Sequence, residues 1–394
     1  MGVSFAKRVE LLKASEIREI LKITTRPEVI SFAGGLPAPE LFPVEELKHA
    51  AIQVLEEAGS QALQYSTTEG YEPLRKQISQ RIDAKFAVKV GAENILVTSG
   101  SQQALDFAGK LFLDAGDVVL CESPTYLAAI SAFRAYEPRF VEVPTDDGGM
   151  VIEELAKILR STERVKLIYV VPDFQNPTGR TWPEERRRQF AALIQEFKIP
   201  VIEDNPYGEL RFEGRIPPSI KSFDTTGLVI YVSTFSKIFC PGMRVGWIAA
   251  AANFFEKFVL IKQGADLHTS SKSQREIAKY LELYDVDAHV RKIVEAYRRR
   301  RDAMLASMDE LFPPEARHTY PQGGLFTWVE LPAGYNTVEL LRKCIERNVA
   351  FVPGGSFFPN GGVANTLRLN FSNMPEERIR EGIGRLAQVI KEYK

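Results

Sequence analysis

Residues 166–207 give the clearest indication of the fold, and they read KLIYVVPDFQNPTGRTWPEERRRQFAALIQEFKIPVIEDNPY. The short apolar runs at residues 167–171 and 201–203 are typical of buried strands. Between them, Glu184–Phe197 has the amphipathic pattern of a helix, and Pro183 stands where helices commonly begin. A strand, a crossover helix and a second strand predict parallel neighbours in a sheet that helices cover.

The same alternation continues on both sides of this unit. It predicts further strands at Ile95–Thr98 and at residues 118–121, 228–232 and 245–249, and a helix at residues 101–113. Beyond about Lys272 long charged helices replace the strands, and residues 325–329, 350–352 and 367–371 predict a small second sheet. We therefore expect an α/β fold whose large domain (43–285) has a mostly parallel central sheet covered by helices. A smaller α+β domain (286–394) follows, and the N-terminal segment (1–42) joins it.

Composition excludes several classes of protein. The 394 residues are 45% hydrophobic and 26% charged, which is ordinary for a globular chain with a large core. The formal net charge of −1 gives no general attraction to nucleic acid or to an anionic membrane. The longest apolar run, residues 247–252, is far shorter than the roughly 20 residues of a membrane span. The three scattered cysteines fit a reducing compartment, so we expect a cytoplasmic protein. From the net charge and the short apolar runs we expect neither nucleic acid nor a membrane as partner.

Polar or turn-forming motifs follow the predicted strands. They occupy residues 98–102, 123–126, 176–179, 203–207 and 233–237. Ligand groups in open α/β sheets gather beyond the carboxyl ends of the strands, so a site is expected there. The chain has no P-loop and no GxSxG motif, and its four histidines lack the spacing of metal ligands, so no metal site is predicted.

Taken singly, these motifs leave alternatives open. The turn at Gly100 could present backbone N–H groups to a phosphate, or Ser99 or Ser101 could simply cap the next helix. Lys237 could be a nucleophile that forms a Schiff base, or a solvated lysine. Asp204, at the end of a strand, needs a partner such as a protonated pyridine nitrogen, an arginine or a helix N-terminus.

Taken together and in order, the motifs resemble those of a known family. Asn176-Pro177-Thr178-Gly179, Asp204-Asn205-Pro206-Tyr207, Ser236-Lys237 with Arg244, and Arg368 are similar to the motifs of the class I aminotransferases of fold type I, which use pyridoxal 5′-phosphate. Gly34-Gly35-Leu36-Pro37, Leu63-Gln64-Tyr65 and residues 262–269 narrow the resemblance to the 2-aminoadipate and kynurenine aminotransferase subgroup.

The resemblance implies roles in cofactor binding. Lys237 would hold the cofactor covalently and move the proton, Asp204 would pair with the ring nitrogen, and Tyr126 would stack on the ring. Asn176 and Tyr207 would hydrogen-bond the phenolic oxygen of the ring. The phosphate would lie among Ser101, Gln102, Thr234, Ser236 and Arg244, together with Tyr65 of a second subunit.

The resemblance also implies roles in substrate binding. Arg368 would bind the α-carboxylate, with help from Asn176 and the Gly35 backbone. The N-terminal segment would form a lid, in which a helix at residues 16–23 carries Arg18. Arg18 would bind a second substrate carboxylate, or it is an exposed arginine paired with its helical neighbours.

The function implied is amino transfer by a ping-pong mechanism in a homodimer with shared active sites. The donors would be 2-aminoadipate, glutamate, or branched-chain or aromatic amino acids, and the acceptors 2-oxo acids such as 2-oxoglutarate. One alternative is a β-lyase or another enzyme with the same cofactor. A second alternative is a ligand-sensing regulator module, but such a module follows a DNA-binding domain, for which the residues before Gly34 leave no room.

Overall fold

The computed structural model describes residues 3, 5–10 and 26–393. The predicted helix at residues 16–23 and its Arg18 lie outside the described residues. Among the described residues the strands are β1 (Ile30–Ser31), β2 (Ile95–Thr98), β3 (Val118–Ser123), β4 (Arg139–Asp146), β5 (Gly149–Met150), β6 (Val165–Val170), β7 (Val201–Asp204), β8 (Val229–Thr234), β9 (Gly246–Ala249), β10 (Arg317–His318), β11 (Phe326–Glu330), β12 (Val349–Ala350), β13 (Val352–Pro353) and β14 (Thr366–Asn370).

The α-helices of the described residues surround these strands. They are α1 (Lys7–Glu10), α2 (Val44–Ala62), α3 (Glu72–Phe86), α4 (Ser101–Phe112), α5 (Leu127–Arg134), α6 (Ile152–Ser161), α7 (Glu184–Phe197), α8 (Ala252–Ala265), α9 (Ser271–Leu283), α10 (Val286–Leu311), α11 (Thr337–Glu346) and α12 (Glu376–Glu392). Short 3-10 helices lie at Pro39–Leu41, Ala92–Asn94, Ile220–Phe223, Pro241–Met243 and Gly354–Phe357. No helix in the described part of the chain is long and apolar enough to cross a membrane.

The central sheet has eight strands in the order β2-β9-β8-β7-β6-β3-β4-β5. The pairs within β8-β7-β6-β3-β4 are all parallel, whereas β9 and β5 run antiparallel to their neighbours. The predicted, mostly parallel sheet is therefore confirmed. Because β2 pairs with the other side of β9, it runs in the same direction as β8. The carboxyl ends of β2, β3, β6, β7 and β8 thus meet at one edge of the sheet.

Each face of the central sheet has its own buried core. Alternation along β6 puts Ile168 and Val170 into one cluster with α6 and α7, and Leu167 and Tyr169 into the other. Continuous apolar runs such as residues 167–171 are expected for strands that are buried on both faces. The same alternation directs Tyr169 and Val171 toward the cavity described below.

The smaller sheet has the order β10-β11-β14-β13 and is antiparallel throughout. The predicted strand at 350–352 is wrong in detail, because the chain there divides between two sheets. Val349–Ala350 pairs in parallel with Ile30–Ser31, and Val352–Pro353 joins the smaller sheet. The first pair ties the N-terminal segment to the C-terminal third, although the proposed domain limits themselves stay a prediction.

Four strands were missed by the sequence analysis, namely β4 and the two-residue strands β1, β5 and β10. Strand β4 lies near the edge of the sheet, is largely half-exposed, and contains Pro144. A proline and partial exposure weaken the apolar signal on which strand prediction depends. Of the predicted strands, Ile95–Thr98 has the bounds expected, and several others begin or end one or two residues away.

Candidate active site

A cavity of about 300 Å³ lies beyond the carboxyl edge of the central sheet. Its wall consists of residues that follow strands far apart in sequence, and these are Ser101, Gln102, Tyr126, Tyr169, Val171, Asn176, Asp204, Pro206, Tyr207, Thr234, Ser236, Lys237, Pro241 and Arg244. Ten of the predicted site residues are therefore neighbours. Arg368 and Gly35 join them through hydrogen bonds to Asn176 and Lys237.

Among the described residues, the predicted Tyr65 neither lines this cavity nor forms a side-chain hydrogen bond with a residue that does. Tyr65 has 78% of its surface exposed, and its ring contacts the edge of His268 at a centroid distance of 5.8 Å. A single chain therefore does not bring Tyr65 into its own site. Arg18 lies outside the described residues.

Lys237 follows β8 and projects an amine into the cavity. Its Nζ donates a hydrogen bond to the Gly35 carbonyl oxygen at 2.9 Å. Burial lowers the pKa of Lys237 to about 8, assisted by the positive charges of Arg368 and Arg244 and opposed by Asp204. A substantial fraction of this amine is neutral near pH 7 to 8, so it can act as a nucleophile or a base.

Asp204 ends β7 and is 2% exposed. The Tyr169 hydroxyl donates a hydrogen bond of 2.8 Å to Asp204 Oδ2, whereas the buried Oδ1 accepts none from the described residues. Burial raises the pKa of Asp204 to about 7, against the lowering effects of the Tyr169 hydrogen bond and Lys237. An unpaired carboxylate oxygen in such a place suits a positively charged N–H donor.

Arg368, in the middle of β14, is a buried cation without a carboxylate partner among the described residues. It donates from Nη1 to Asn176 Oδ1 at 2.8 Å and from Nη2 to the Ala33 carbonyl oxygen at 2.6 Å. The Phe326 and Phe357 rings lie 4.2 and 5.1 Å from its Cζ atom. Burial lowers its pKa to about 10, so it stays charged at neutral pH. A guanidinium held in this way suits an anionic ligand, above all a planar carboxylate.

The N-terminus of α4 forms an anion-binding corner with Arg244. Gly100 has φ +78°, and a Cβ atom built there would lie 2.5 Å from Arg244 Nη2. The Thr234 and Ser236 hydroxyls lie 2.9 Å apart on the other side of the corner. Backbone N–H groups, hydroxyls and a guanidinium together suit a phosphate.

Two tyrosines and an asparagine complete the wall. Burial raises the pKa of Tyr126 to about 12, and it also raises the pKa of Tyr207, so both remain protonated donors. Asn176 Nδ2 lies 3.4 Å from the Tyr207 hydroxyl. These groups can hydrogen-bond an oxygen placed between them.

Four residues of the wall were not predicted as site residues, and these are Tyr169, Val171, Pro206 and Pro241. Of the four, Tyr169 is the one whose side chain hydrogen-bonds a predicted site residue, Asp204. It was assigned only to a strand, and 35 residues separate it from Asp204. The one signal available was a tyrosine in an otherwise aliphatic run, directed to the same face as Val171. The contact itself depends on the pairing of β6 with β7, in which Tyr169 lies opposite Ile202.

Comparisons with known proteins agree with this geometry. The family model for aminotransferase class I and II matches residues 27–386. The chain is 47% identical over 392 residues to aromatic-amino-acid aminotransferase 1 of Thermococcus litoralis, with 98% of this chain and 94% of the relative covered. Kynurenine aminotransferase of Pyrococcus horikoshii, solved in complex with PMP, is 42% identical, with a TM-score of 0.95 and coverage of 99% and 97%. LysN, the α-aminoadipate aminotransferase of Thermus thermophilus, was solved with N-(5′-phosphopyridoxyl)-L-leucine. It is 43% identical, with a TM-score of 0.92 and coverage of 98% and 97%.

Proposed function

We propose that this chain, which belongs to the class I and II aminotransferases, transfers an amino group between an L-amino acid and a 2-oxo acid such as 2-oxoglutarate. The proposed donors are 2-aminoadipate, glutamate, and aromatic or branched-chain amino acids. The names of the relatives, which include an aromatic-amino-acid and a 2-aminoadipate aminotransferase, support the aromatic and 2-aminoadipate donors of this range.

The cofactor is pyridoxal 5′-phosphate, and the cavity fits it in three places. The unpaired Oδ1 of Asp204 suits the protonated ring nitrogen, and the corner formed by α4 and Arg244 suits the phosphate. Lys237 offers the amine that a covalent link needs. When bound, the cofactor supplies an electron-poor ring that takes up the electron pair of a broken Cα–H bond.

Each end of the substrate has a proposed partner. Arg368 binds the α-carboxylate, and Asn176, which already contacts Arg368 at 2.8 Å, orients it. The Lys237 amine takes the proton from the substrate Cα, since its lowered pKa leaves part of it neutral. Asp204 keeps its charge next to the ring nitrogen, and Tyr207 and Asn176 donate to the phenolic oxygen.

A second subunit completes the site in this proposal. Tyr65, which is exposed and does not line its own cavity, reaches the phosphate of a partner, so that the active unit is a homodimer. Arg18 binds the distal carboxylate of dicarboxylic donors.

One observation carries the proposal: a single cavity joins the buried amine of Lys237, the unpaired oxygen of Asp204 and, through Asn176, the buried guanidinium of Arg368. A panel of amino donors with 2-oxoglutarate tests it. We expect glutamate formation with 2-aminoadipate and aromatic donors, and conversion of the bound cofactor to its pyridoxamine form by a donor alone. Release of pyruvate and ammonia without amino transfer would instead identify a lyase.

A further inference from the structure

A fully buried lysine, Lys262, lies outside the cavity and has no role in the mechanism above. It is in the last turn of α8, and its Nζ donates to Asp266 Oδ1 at 2.8 Å, Gln103 Oε1 at 2.9 Å and Thr269 Oγ1 at 3.0 Å. A buried ammonium is costly unless it is paired and fully hydrogen-bonded, and these three contacts satisfy it.

The hydrogen bonds of this network lead to Ser99. Gln103 Oε1, which Lys262 holds, accepts the Ser99 backbone N–H at 2.9 Å. Asp266 Oδ2 accepts the Ser99 hydroxyl at 3.1 Å and the Gln103 amide at 2.8 Å. The backbone N–H and the hydroxyl of Ser99 therefore both donate hydrogen bonds to partners of Lys262.

The far side of Ser99 faces the anion-binding corner. Its carbonyl oxygen accepts a hydrogen bond of 3.3 Å from Arg244 Nη2. The next residues are Gly100, which has a positive φ, and Ser101, which begins α4. A Cβ atom built on Gly246 would lie 2.7 Å from Ser101 N, so the corner has no room to shift on that side.

We propose that Lys262, acting through Asp266 and Gln103, is a positioning residue for the phosphate-binding corner. It fixes the peptide of Ser99 so that the first N–H groups of α4 and the guanidinium of Arg244 converge on one anion. The inference rests on the proposed function, because the anion concerned is the phosphate of the cofactor.

Removal of Lys262 leaves Asp266 and Gln103 without the cation that orders them. The corner then samples orientations in which its donors no longer converge. We expect the dissociation constant of pyridoxal 5′-phosphate to rise roughly 10- to 100-fold, the range typical when a residue that orients a ligand-binding group is lost. Pyridoxal, which has no phosphate, does not use the corner, and its dissociation constant should change less than about twofold by the same reasoning.

The test titrates the cofactor-free full-length protein with both compounds. Lys262→Met removes the ammonium and keeps the length of the side chain, and Asp266→Asn perturbs the same network from its more exposed end. Lys221→Met is the matched control, because Lys221 Nζ binds the Val229 carbonyl oxygen at the opposite end of β8. Thermal unfolding of each variant reports on the fold.

We expect both network variants to lose affinity for pyridoxal 5′-phosphate but not for pyridoxal. The Lys221 variant should bind both compounds like the wild type. An equal loss of affinity for both compounds would show that Lys262 supports the fold in general. Unchanged affinities would show that Lys262 has no role in the phosphate-binding corner. If Lys262→Met does not fold, Asp266→Asn decides alone. A wild-type protein that bound neither compound would overturn the proposed function itself, which is a different result from any failure of the variants.

Discussion

Two buried aspartates should respond in opposite ways to the same substitution. Asp204 has one hydrogen bond, from Tyr169, and one unpaired oxygen. Asp173 receives 2.7 and 3.1 Å hydrogen bonds from Arg187, and the side chains of both are fully buried. We predict that Asp204→Asn stabilises the cofactor-free protein and slows catalysis, whereas Asp173→Asn destabilises it.

The size of the effect follows from the pKa of Asp204, which burial raises from 3.8 to about 7. Since one pKa unit corresponds to about 1.4 kcal/mol, ionising this group in the folded, cofactor-free protein costs on the order of 4 kcal/mol. The folded state holds the proton more tightly than the unfolded state, so the free energy of unfolding falls as pH rises from about 4 to 7. Above pH 7 the loss is complete.

Asparagine removes this ionisation but still buries an amide. We therefore expect Asp204→Asn to raise the free energy of unfolding by roughly 1–4 kcal/mol at pH 8.5, and by less than half of that at pH 5. Asp173→Asn leaves the Arg187 charge without its partner and should cost about 3–5 kcal/mol. With the cofactor bound, Asp204→Asn should transaminate roughly 10²- to 10³-fold more slowly, the usual loss when one electrostatic stabiliser leaves an active site.

Urea unfolding of the cofactor-free proteins at pH 5 and pH 8.5 measures the stabilities, and single-turnover kinetics measure the rates. The reasoning fails if Asp204→Asn lowers the stability at pH 8.5 or changes it equally at both pH values. Near-normal turnover would show that Asp204 is a structural residue.

Four further predictions concern single residues of the site. Lys237→Ala should lose turnover by several orders of magnitude, and borohydride, which fixes the cofactor to Lys237 in the wild type, should fix none. Tyr169→Phe removes a hydrogen bond to a carboxylate, worth about 1.5–3 kcal/mol, so the pKa of Asp204 should rise by about one to two units. The pH below which the affinity for the cofactor falls should rise with this pKa. Arg18→Ala should weaken the use of 2-aminoadipate and glutamate roughly ten- to a hundredfold, measured as kcat/KM, and change leucine and phenylalanine little. Mixing Lys237→Ala chains with Tyr65→Phe chains should restore activity, because a heterodimer then has one site with both defects and one with neither.

Each of these predictions has a control or a contradicting result. Reduced cofactor on another lysine would refute the assignment of Lys237. Tyr231→Phe is the control for Tyr169, since Tyr231 is an equally buried tyrosine, whereas the hydroxyl that donates to Asp204 is that of Tyr169. An equal loss for all donors would mean that Arg18 supports the fold, and a fully active monomer would exclude the shared site of Tyr65.

The kinds of structural element and their order could be predicted from the sequence because those signals are local. The run from residue 166 to 207 shows strand, crossover helix and strand through its own periodicity, and Glu184–Phe197 is a helix with the predicted bounds. Strand β4 was not predicted, because its position next to the edge strand β5 and its Pro144 weaken the apolar pattern. The strand predicted at 350–352 was wrong in detail, because no local signal shows that one short apolar segment divides between two sheets.

The side chains that stand at the carboxyl ends of the strands could be inferred from the sequence alone, since residue type and strand position are local properties. Their contacts and their pKa values depend on the tertiary structure. The pairing of β6 with β7 set Tyr169 against Asp204, and burial moved the pKa values of Asp204 and Lys237 toward neutrality. Likewise, the packing of α8 against α4 brings Lys262 into contact with Gln103, although 159 residues separate them in the sequence. Hydrogen bonds and desolvation depend on distances between remote parts of the chain, and those distances exist only in the folded molecule.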